Sequence, residues 1–289
     1  MGGPVRSVPP MPAPVGENPR MAIPGIAGLV AALASAIPIF APLEFSLPPP
    51  REEPVHVRPA TVPTGEAIAD AAEYAAARGG AVSFAVIDSR GRLKGHDAER
   101  LYSAASTVKA MVLAAELRRL AAAGEPVDDS GDALLGAMVR YSDNEAADAV
   151  YARVGDAGMT AVAERAGMTN FQIAGHWGNA QVTAADMARL FGDLEGAFPR
   201  RHLGYAQNLL GSVIASQSWG IPTVAGADWG VRFKGGWLPD HALVHQAAEL
   251  RERGGPREIA VAILTDEQPS HGYGVETLEG VAARLLRED

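Results

Sequence analysis

Cysteine is absent from the 289-residue chain. Its absence excludes a disulfide framework, a cysteine nucleophile and every thiolate metal site. It also excludes a lipid anchor attached through a cysteine. A surplus of basic charge is missing as well, because the formal net charge is -9. A nucleic-acid-binding domain would present a basic face, so nucleic acid is excluded as the expected partner. No metal or nucleotide motif occurs, and no cofactor is implied.

Lysine is nearly absent. The chain has 25 basic residues, and only three of them are lysines: Lys94, Lys109 and Lys234. Arginine fills the ordinary surface positions, so a retained lysine is a candidate for a role that arginine cannot take. A desolvated lysine can lose its proton, whereas an arginine in practice cannot. The alternative explanation is compositional bias.

The N-terminal part is unlike a folded domain. Residues 21–43 carry no charge, and small residues around 32–36 fit a signal-peptidase cleavage pattern. We therefore predict a signal peptide over residues 1–45, with an uncleaved membrane anchor as the alternative, and an exported protein. A stiff linker is predicted over residues 46–63, which hold Pro48, Pro49, Pro50, Pro54, Pro59 and Pro63. The folded domain is predicted to span residues 64–289.

Hydrophobic periodicity and turn residues predict the secondary structure of that domain. A helix over 64–78 precedes a strand over 81–88 and a second short strand. Helices then follow, including one from Ser106 to Gly124, a broken set over 132–166, one from Thr183 and one over 202–214. Three strands (230–234, 242–250 and 258–265) and a helix over 275–286 complete the chain. Because this order is not a βαβ alternation, an α+β fold with an antiparallel sheet is predicted.

Three short motifs carry the candidate chemistry. The first places Ser106 and Lys109 three residues apart on an apolar helix, where residues so spaced share a face. A serine is a weak nucleophile until a base takes its proton, and a desolvated lysine can be that base. Taken alone, the pair is more often a helix-capping serine with a surface lysine.

The second motif is Ser142-Asp143-Asn144, which alone is ordinary helix-capping chemistry. The third is Lys234-Gly235-Gly236, which alone is a basic residue beside a turn. In the order S-x-x-K, S-D-N, K-G-G, the three resemble the signature of class A β-lactamases and penicillin-binding proteins. Two of the three lysines fall inside these motifs.

The resemblance covers about residues 64–289 and implies a fold. The family's fold is a five-stranded antiparallel sheet flanked by helices, with an all-helical subdomain. In this chain the segment between Lys109 and Ser142 is short, so an abbreviated helical subdomain is expected.

The resemblance also implies roles for the motif residues. Ser106 would be the nucleophile that forms an acyl-enzyme, and Lys109 its base or proton relay. Ser142 would pass a proton to the leaving nitrogen. Lys234 would be the fourth catalytic residue, which tunes Ser142 and attracts the substrate carboxylate. The substrate-binding groups would be Asn144, Gly235, Gly236 and the backbone N–H of Trp237, which shares an oxyanion hole with the N–H of Ser106.

Two departures from the family's pattern bear on function. Gly235 stands where the family usually has Thr or Ser, which removes a hydroxyl that would bind the substrate carboxylate. Residues 170–179 replace a loop whose glutamate, in class A β-lactamases, activates the deacylating water, and this stretch has no acidic residue. Glu164 should be solvated on the preceding helix. His176 is the only side chain in the stretch that could act as a base near neutral pH. The alternative is that it is an ordinary loop histidine.

We therefore predict a monomeric serine hydrolase that β-lactams acylate and that releases the product slowly. Its partner would be a small-molecule β-lactam or a cell-wall peptide. One alternative is a carboxypeptidase or esterase acting on D-alanyl substrates of the cell wall. Another is a non-hydrolytic domain that binds cell-wall peptides or β-lactams.

Overall fold

The computed structural model describes residues 61–238 and 243–287. The predicted leader over residues 1–45, and the predicted linker up to residue 60, lie outside the described residues. Within the described ranges, no helix has both the length and the apolar character needed to cross a bilayer.

A five-stranded antiparallel sheet forms the centre of the fold, in the order β2-β1-β7-β6-β5. A separate two-stranded ladder pairs β3 with β4. The strands are β1 (Ala81–Ile87), β2 (Leu93–His96), β3 (Tyr102–Ser103), β4 (Gln181–Val182), β5 (Trp229–Leu238), β6 (Leu243–Glu252) and β7 (Glu258–Asp266). The predicted α+β class and five-stranded antiparallel sheet are confirmed.

Helices cover both faces of the sheet, so β1, β6 and β7 are buried almost from end to end. The helices are α1 (Gly65–Ala76), α2 (Lys109–Ala123), α3 (Asp129–Arg140), α4 (Asn144–Arg165), α5 (Ala184–Gly192), α6 (Leu194–Ala197), α7 (Leu203–Leu210), α8 (Ile221–Ala225) and α9 (His271–Leu285).

Successive residues of a strand point to opposite faces, and on β7 they enter two different cores. Ile259, Val261 and Ile263 pack with α1, α8 and α9 in one core. Ala260 and Ala262 join the other core, which α2, α3, α4, α5 and α7 complete. Small alanines on that face allow a close approach of α5, which contacts β7 and β1.

Polar side chains determine where several helices begin. The N-cap side chain accepts a hydrogen bond from a free backbone N–H of the first turn in α1, α3, α4, α5 and α9, through Thr64, Asp128, Asp143, Thr183 and Ser270 respectively. The cap at Ser270 starts the last helix four residues before its predicted beginning.

Two further predicted boundaries were wrong. The helix expected over 202–214 ends at Leu210, because Gly211 follows and the Ser212 hydroxyl bonds the Leu209 carbonyl. The strand expected to stop at Lys234 continues to Leu238, because every residue through Leu238 pairs with β6. The two glycines after Lys234 are therefore part of a strand and not of a turn.

Candidate active site

Ser106 lies in a 3-10 turn, Ala105–Val108, that leads directly into α2. Residues three apart eclipse each other in such a turn, so Ser106 and Lys109 are stacked along one side. No side chain caps this helix start, which leaves its backbone N–H groups for other acceptors. Ala105 has a φ of 45°, a strained conformation of the kind that clusters at functional sites.

Lys109 is fully buried at the start of α2. Its amine donates hydrogen bonds to the Ser142 carbonyl at 2.5 Å and to Asn144 Oδ1 at 2.7 Å, and it lies 3.4 Å from Ser142 Oγ. Burial lowers the pKa of Lys109 to about 8, and the carboxylates of Asp143 and Asp148 oppose that shift. The amine can therefore exchange its proton near neutral pH.

Ser142 occupies the short connection between α3 and α4. Its φ of 60° is left-handed, and the next residue, Asp143, caps α4 through the backbone N–H of Ala146 at 2.7 Å. The cap fixes the start of α4, so that Asn144 faces Lys109. The second motif thus uses its capping chemistry to hold Ser142 and Asn144 beside the amine.

Lys234 approaches Ser142 from the sheet. Its amine, fully buried, donates to Ser142 Oγ at 3.0 Å and to the Gly235 carbonyl at 2.9 Å. Burial and the positive charge of Lys109 lower the pKa of Lys234 to about 7. The structure thus brings two amines, from α2 and from β5, to one serine hydroxyl.

Gly236 lies against the turn that carries Ser106. A Cβ at this position would lie 2.8 Å from the Ser106 backbone N and 2.9 Å from that of Thr107. Such contacts are too short for any side chain, so only glycine allows β5 to come this close. Buried Gly235 precedes it, and half-buried Trp237 follows it along the strand.

Trp177 covers the other side of the Lys109 amine, with its ring centroid 4.9 Å from Nζ. The indole Nε1–H donates to Asp148 Oδ1 at 2.6 Å, which orients the ring. Neither the Trp177–Lys109 contact nor the role of Asp148 in orienting the ring was predicted from the sequence. Asp148 stands four residues after Asn144 on α4, and that helical spacing was the available signal.

His176 has both ring nitrogens occupied. Nε2 bonds Asp148 Oδ1 at 2.9 Å, and Nδ1 accepts from the Gly178 backbone N–H at 3.0 Å. Because these bonds use the ring's donor and its lone pair, His176 holds the loop in place and is not a free base. Glu164 is exposed on α4, as expected.

Comparisons with known proteins identify the family and the fold. A family model described as the β-lactamase enzyme family matches residues 130–288, a range that contains the second and third motifs. Ser106 and Lys109 precede it. No curated protein matches the chain.

Several solved β-lactamases share the fold. The enzyme of Sphaerobacter thermophilus has a TM-score of 0.68 and 19% identity, over 76% of this chain and 96% of that one. That of Xanthomonas campestris has a TM-score of 0.68 and 18% identity, over the same shares. A class A β-lactamase of Mycobacterium abscessus has a TM-score of 0.66 and 21% identity, over 76% and 98%. The fold is that of the β-lactamase-like serine hydrolases, and the chain belongs to the β-lactamase enzyme family.

Proposed function

We propose that the protein is a serine hydrolase that β-lactams or related amides acylate at Ser106 and that releases the acyl group slowly. The observation that carries the proposal is the meeting of the Lys109 and Lys234 amines at Ser142, beside the turn that holds Ser106. Two buried amines with lowered pKa values cost stability, because burial disfavours their charged forms. A role in proton transfer would account for the burial of both amines and for their lowered pKa values.

Acylation would proceed with a closed proton cycle. The neutral Lys109 amine takes the Ser106 hydroxyl proton while Oγ bonds the carbonyl carbon. The carbon–nitrogen bond then breaks, and the leaving nitrogen takes a proton from Ser142. The Lys109 ammonium, 3.4 Å from Ser142 Oγ, replaces that proton and becomes neutral again. Asn144 would hold the substrate amide, and Lys234 would keep Ser142 polarised.

The oxyanion would be held by the backbone N–H groups of Ser106 and Trp237. The uncapped start of the helix and the close approach of Gly236 support this assignment. A single donor of this kind is typically worth about 2.7–4 kcal/mol of barrier.

Slow release is supported by what faces Lys109. Hydrolysis of the acyl-enzyme needs a group that takes a proton from water. Trp177 presents an apolar ring to the amine, His176 has both nitrogens engaged, and residues 170–179 contain no carboxylate. The carboxylate behind this ring, Asp148, is engaged through Oδ1 by Trp177 Nε1–H and by His176 Nε2. The acyl group would therefore remain on Ser106 longer than in a class A β-lactamase.

A second candidate is an esterase or a carboxypeptidase acting on D-alanyl substrates. The observation that favours the esterase is Gly235, which lacks the hydroxyl expected to bind a substrate carboxylate, since an uncharged ester has no carboxylate to bind there. A domain trapped as a permanent acyl adduct is the limiting case of slow release. Export and a monomeric state remain predictions of the sequence.

Intact-protein mass spectrometry after exposure to a penicillin tests the proposal. We expect the mass to rise by one penicillin and the adduct to persist, with the label on Ser106. Ser106→Ala should remove the adduct, and Ser130→Ala, at an exposed serine of α3, should keep it. Labelling of the Ser106→Ala variant, or release at the rate of a class A β-lactamase, would contradict the proposal.

A further inference from the structure

Trp219 occupies the space beside Gly235. A Cβ at residue 235 would point at the six-membered ring of Trp219, 3.3 Å from Cη2 and 3.6 Å from Cζ2. A threonine or serine there would crowd the indole, which would have to shift by a few tenths of an ångström to accept the Cβ. The space that a side chain at residue 235 would occupy is therefore not empty, because the apolar ring of Trp219 borders it.

The backbone that carries Trp219 is held by a buried side chain. Gln246, fully buried on β6 opposite Gly235, donates to the Trp219 carbonyl at 2.8 Å and accepts from the Ile221 N–H at 2.6 Å. Gly220 between them has a φ of 73°, and a Cβ there would lie 2.6 Å from Gln246 Oε1. This position of Trp219 is thus specified by the strand that pairs with Gly235.

Two further rings enclose Trp219. Trp237, which follows the third motif on β5, meets it edge to face with centroids 6.1 Å apart. His271, at the start of α9, meets it at 5.7 Å. Edge-to-face contacts at these distances are favourable. Trp219, Trp237 and His271 form a preorganised aromatic group, which we call the Trp219 corner. Trp237 is also the residue whose backbone N–H would contribute to the oxyanion hole.

The cation beside this corner is Lys234, and its amine already donates to Ser142 Oγ at 3.0 Å and to the Gly235 carbonyl at 2.9 Å. The part of β6 that pairs with the third motif, residues 245–247, contains no lysine or arginine. His245 is neutral, since burial lowers its pKa to about 4, and its Nε2 faces the Ser103 carbonyl. Glu279 accepts from the Gly220 N–H at 3.3 Å, which adds a carboxylate beside Trp219. An anionic group would lose hydration at this corner and would have to compete for an amine that is already bonded.

We propose that the Trp219 corner selects substrates that carry an uncharged, apolar or aromatic group, instead of a carboxylate, on the leaving-group side of the scissile bond. This inference rests on acylation at Ser106, the proposed function, and specifies its substrate class. Lys234 then serves Ser142 and the strand carbonyl and is not mainly a carboxylate receptor. Trp219 determines specificity, and Gln246 positions it.

Acylation rates of a matched pair of probes test this inference. The second-order rate constant for labelling of the intact chain is measured by mass spectrometry with one penicillin as its free acid and as its methyl ester. We expect the ester to acylate the wild-type chain at least as fast as the acid. The double variant Trp219→Ala/Gly235→Thr, which exchanges the ring for a hydroxyl, should shift the ratio of rate constants at least tenfold toward the acid.

Trp229→Phe is the control variant, since Trp229 is buried at the start of β5 and is not one of the three rings of the corner, so its replacement should leave the ratio unchanged. A wild-type chain that the acid labels faster than the ester, or a double variant whose ratio moves less than tenfold, overturns the inference. The wild-type comparison decides it if the double variant does not fold. If neither probe labels the wild-type chain, the acyl-enzyme function itself is wrong, and the preference is rejected with it.

Discussion

At the scale of the residue, the chemistry of the site depends on amines that sit out of water. Lys109 is surrounded by two oxygen acceptors, Ser142 Oγ and an indole face. An arginine would be too large for this space and would hold its proton at any working pH. The retention of lysine here, in a chain whose surface uses arginine, has a physical explanation.

The pH dependence of acylation follows from the lowered pKa of Lys109. The base is the neutral amine, and burial brings its pKa to about 8. The fraction of neutral amine, and with it the rate, therefore rises with pH up to that value and then levels. With the uncharged methyl ester as probe, we expect about a tenfold increase per pH unit well below the plateau.

The measurement is the second-order rate constant of Ser106 labelling between pH 6 and 9.5. Lys109→Arg should lower it by about 10²–10⁴-fold and remove the rise, with circular dichroism confirming the fold. Because Lys234 also titrates near neutrality, the inflection belongs to the pair of amines. A flat profile in the wild-type chain would show that Lys109 is not the base.

At the scale of the element, α4 connects the site to the loop formed by residues 170–179. Its first two turns carry Asn144 and Asp148, and Gly155 interrupts the helix with φ 56° and ψ -172°. After this kink Asp156 accepts from the Gly175 N–H at 2.8 Å. The helix thus holds the loop at two points, one on either side of the kink.

Replacing Gly155 by alanine should lower the free energy of unfolding by about 1–3 kcal/mol, because a Cβ strains this backbone conformation. Space is not the cause, since no atom lies within 4 Å of the added Cβ. Gly136→Ala is the matched control. It lies inside α3 with its nearest neighbour at 3.8 Å, so it should raise stability by up to about 1 kcal/mol. Urea denaturation measures the free energy of unfolding of both variants. If both substitutions change it in the same direction by the same amount, backbone strain at Gly155 is not the cause.

The sequence predicted some elements well and others poorly, for identifiable reasons. Apolar runs and capping residues carry local information, so the five strands of the main sheet and most helix starts were predictable. The two-residue strands β3 and β4 were missed, because so short a pairing leaves no periodic pattern. Lys234 was expected to end its strand because two glycines follow, but pairing with β6 overrides their weak strand preference. Local information says nothing about Trp219 beside Gly235, because the contact depends on Gln246 in a third segment.

At the scale of the whole molecule, the sheet separates two cores. The motif residues lie on or beside the side that α2 and α4 cover, whereas α1 and α9 fill the other side. Substitutions in the second core should therefore change stability without changing the site.

Leu278→Ala tests this separation, since Leu278 is fully buried on α9 in the second core. We expect the free energy of unfolding to decrease by about 2–5 kcal/mol. The rate constant of acylation, measured well below the unfolding temperature, should stay within about twofold of the wild type, because the amines and Ser142 keep their distances. A large loss of acylation in folded protein would mean that the two cores are coupled.

The mutual fit of Trp219 and Gly235 also constrains how such a sequence can change. A hydroxyl-bearing residue at 235 would crowd the indole if it arrives first, and a smaller residue at 219 would leave a void beside the strand if that arrives first. Each single step should therefore cost packing that the joint exchange restores. The two positions should vary together among related sequences.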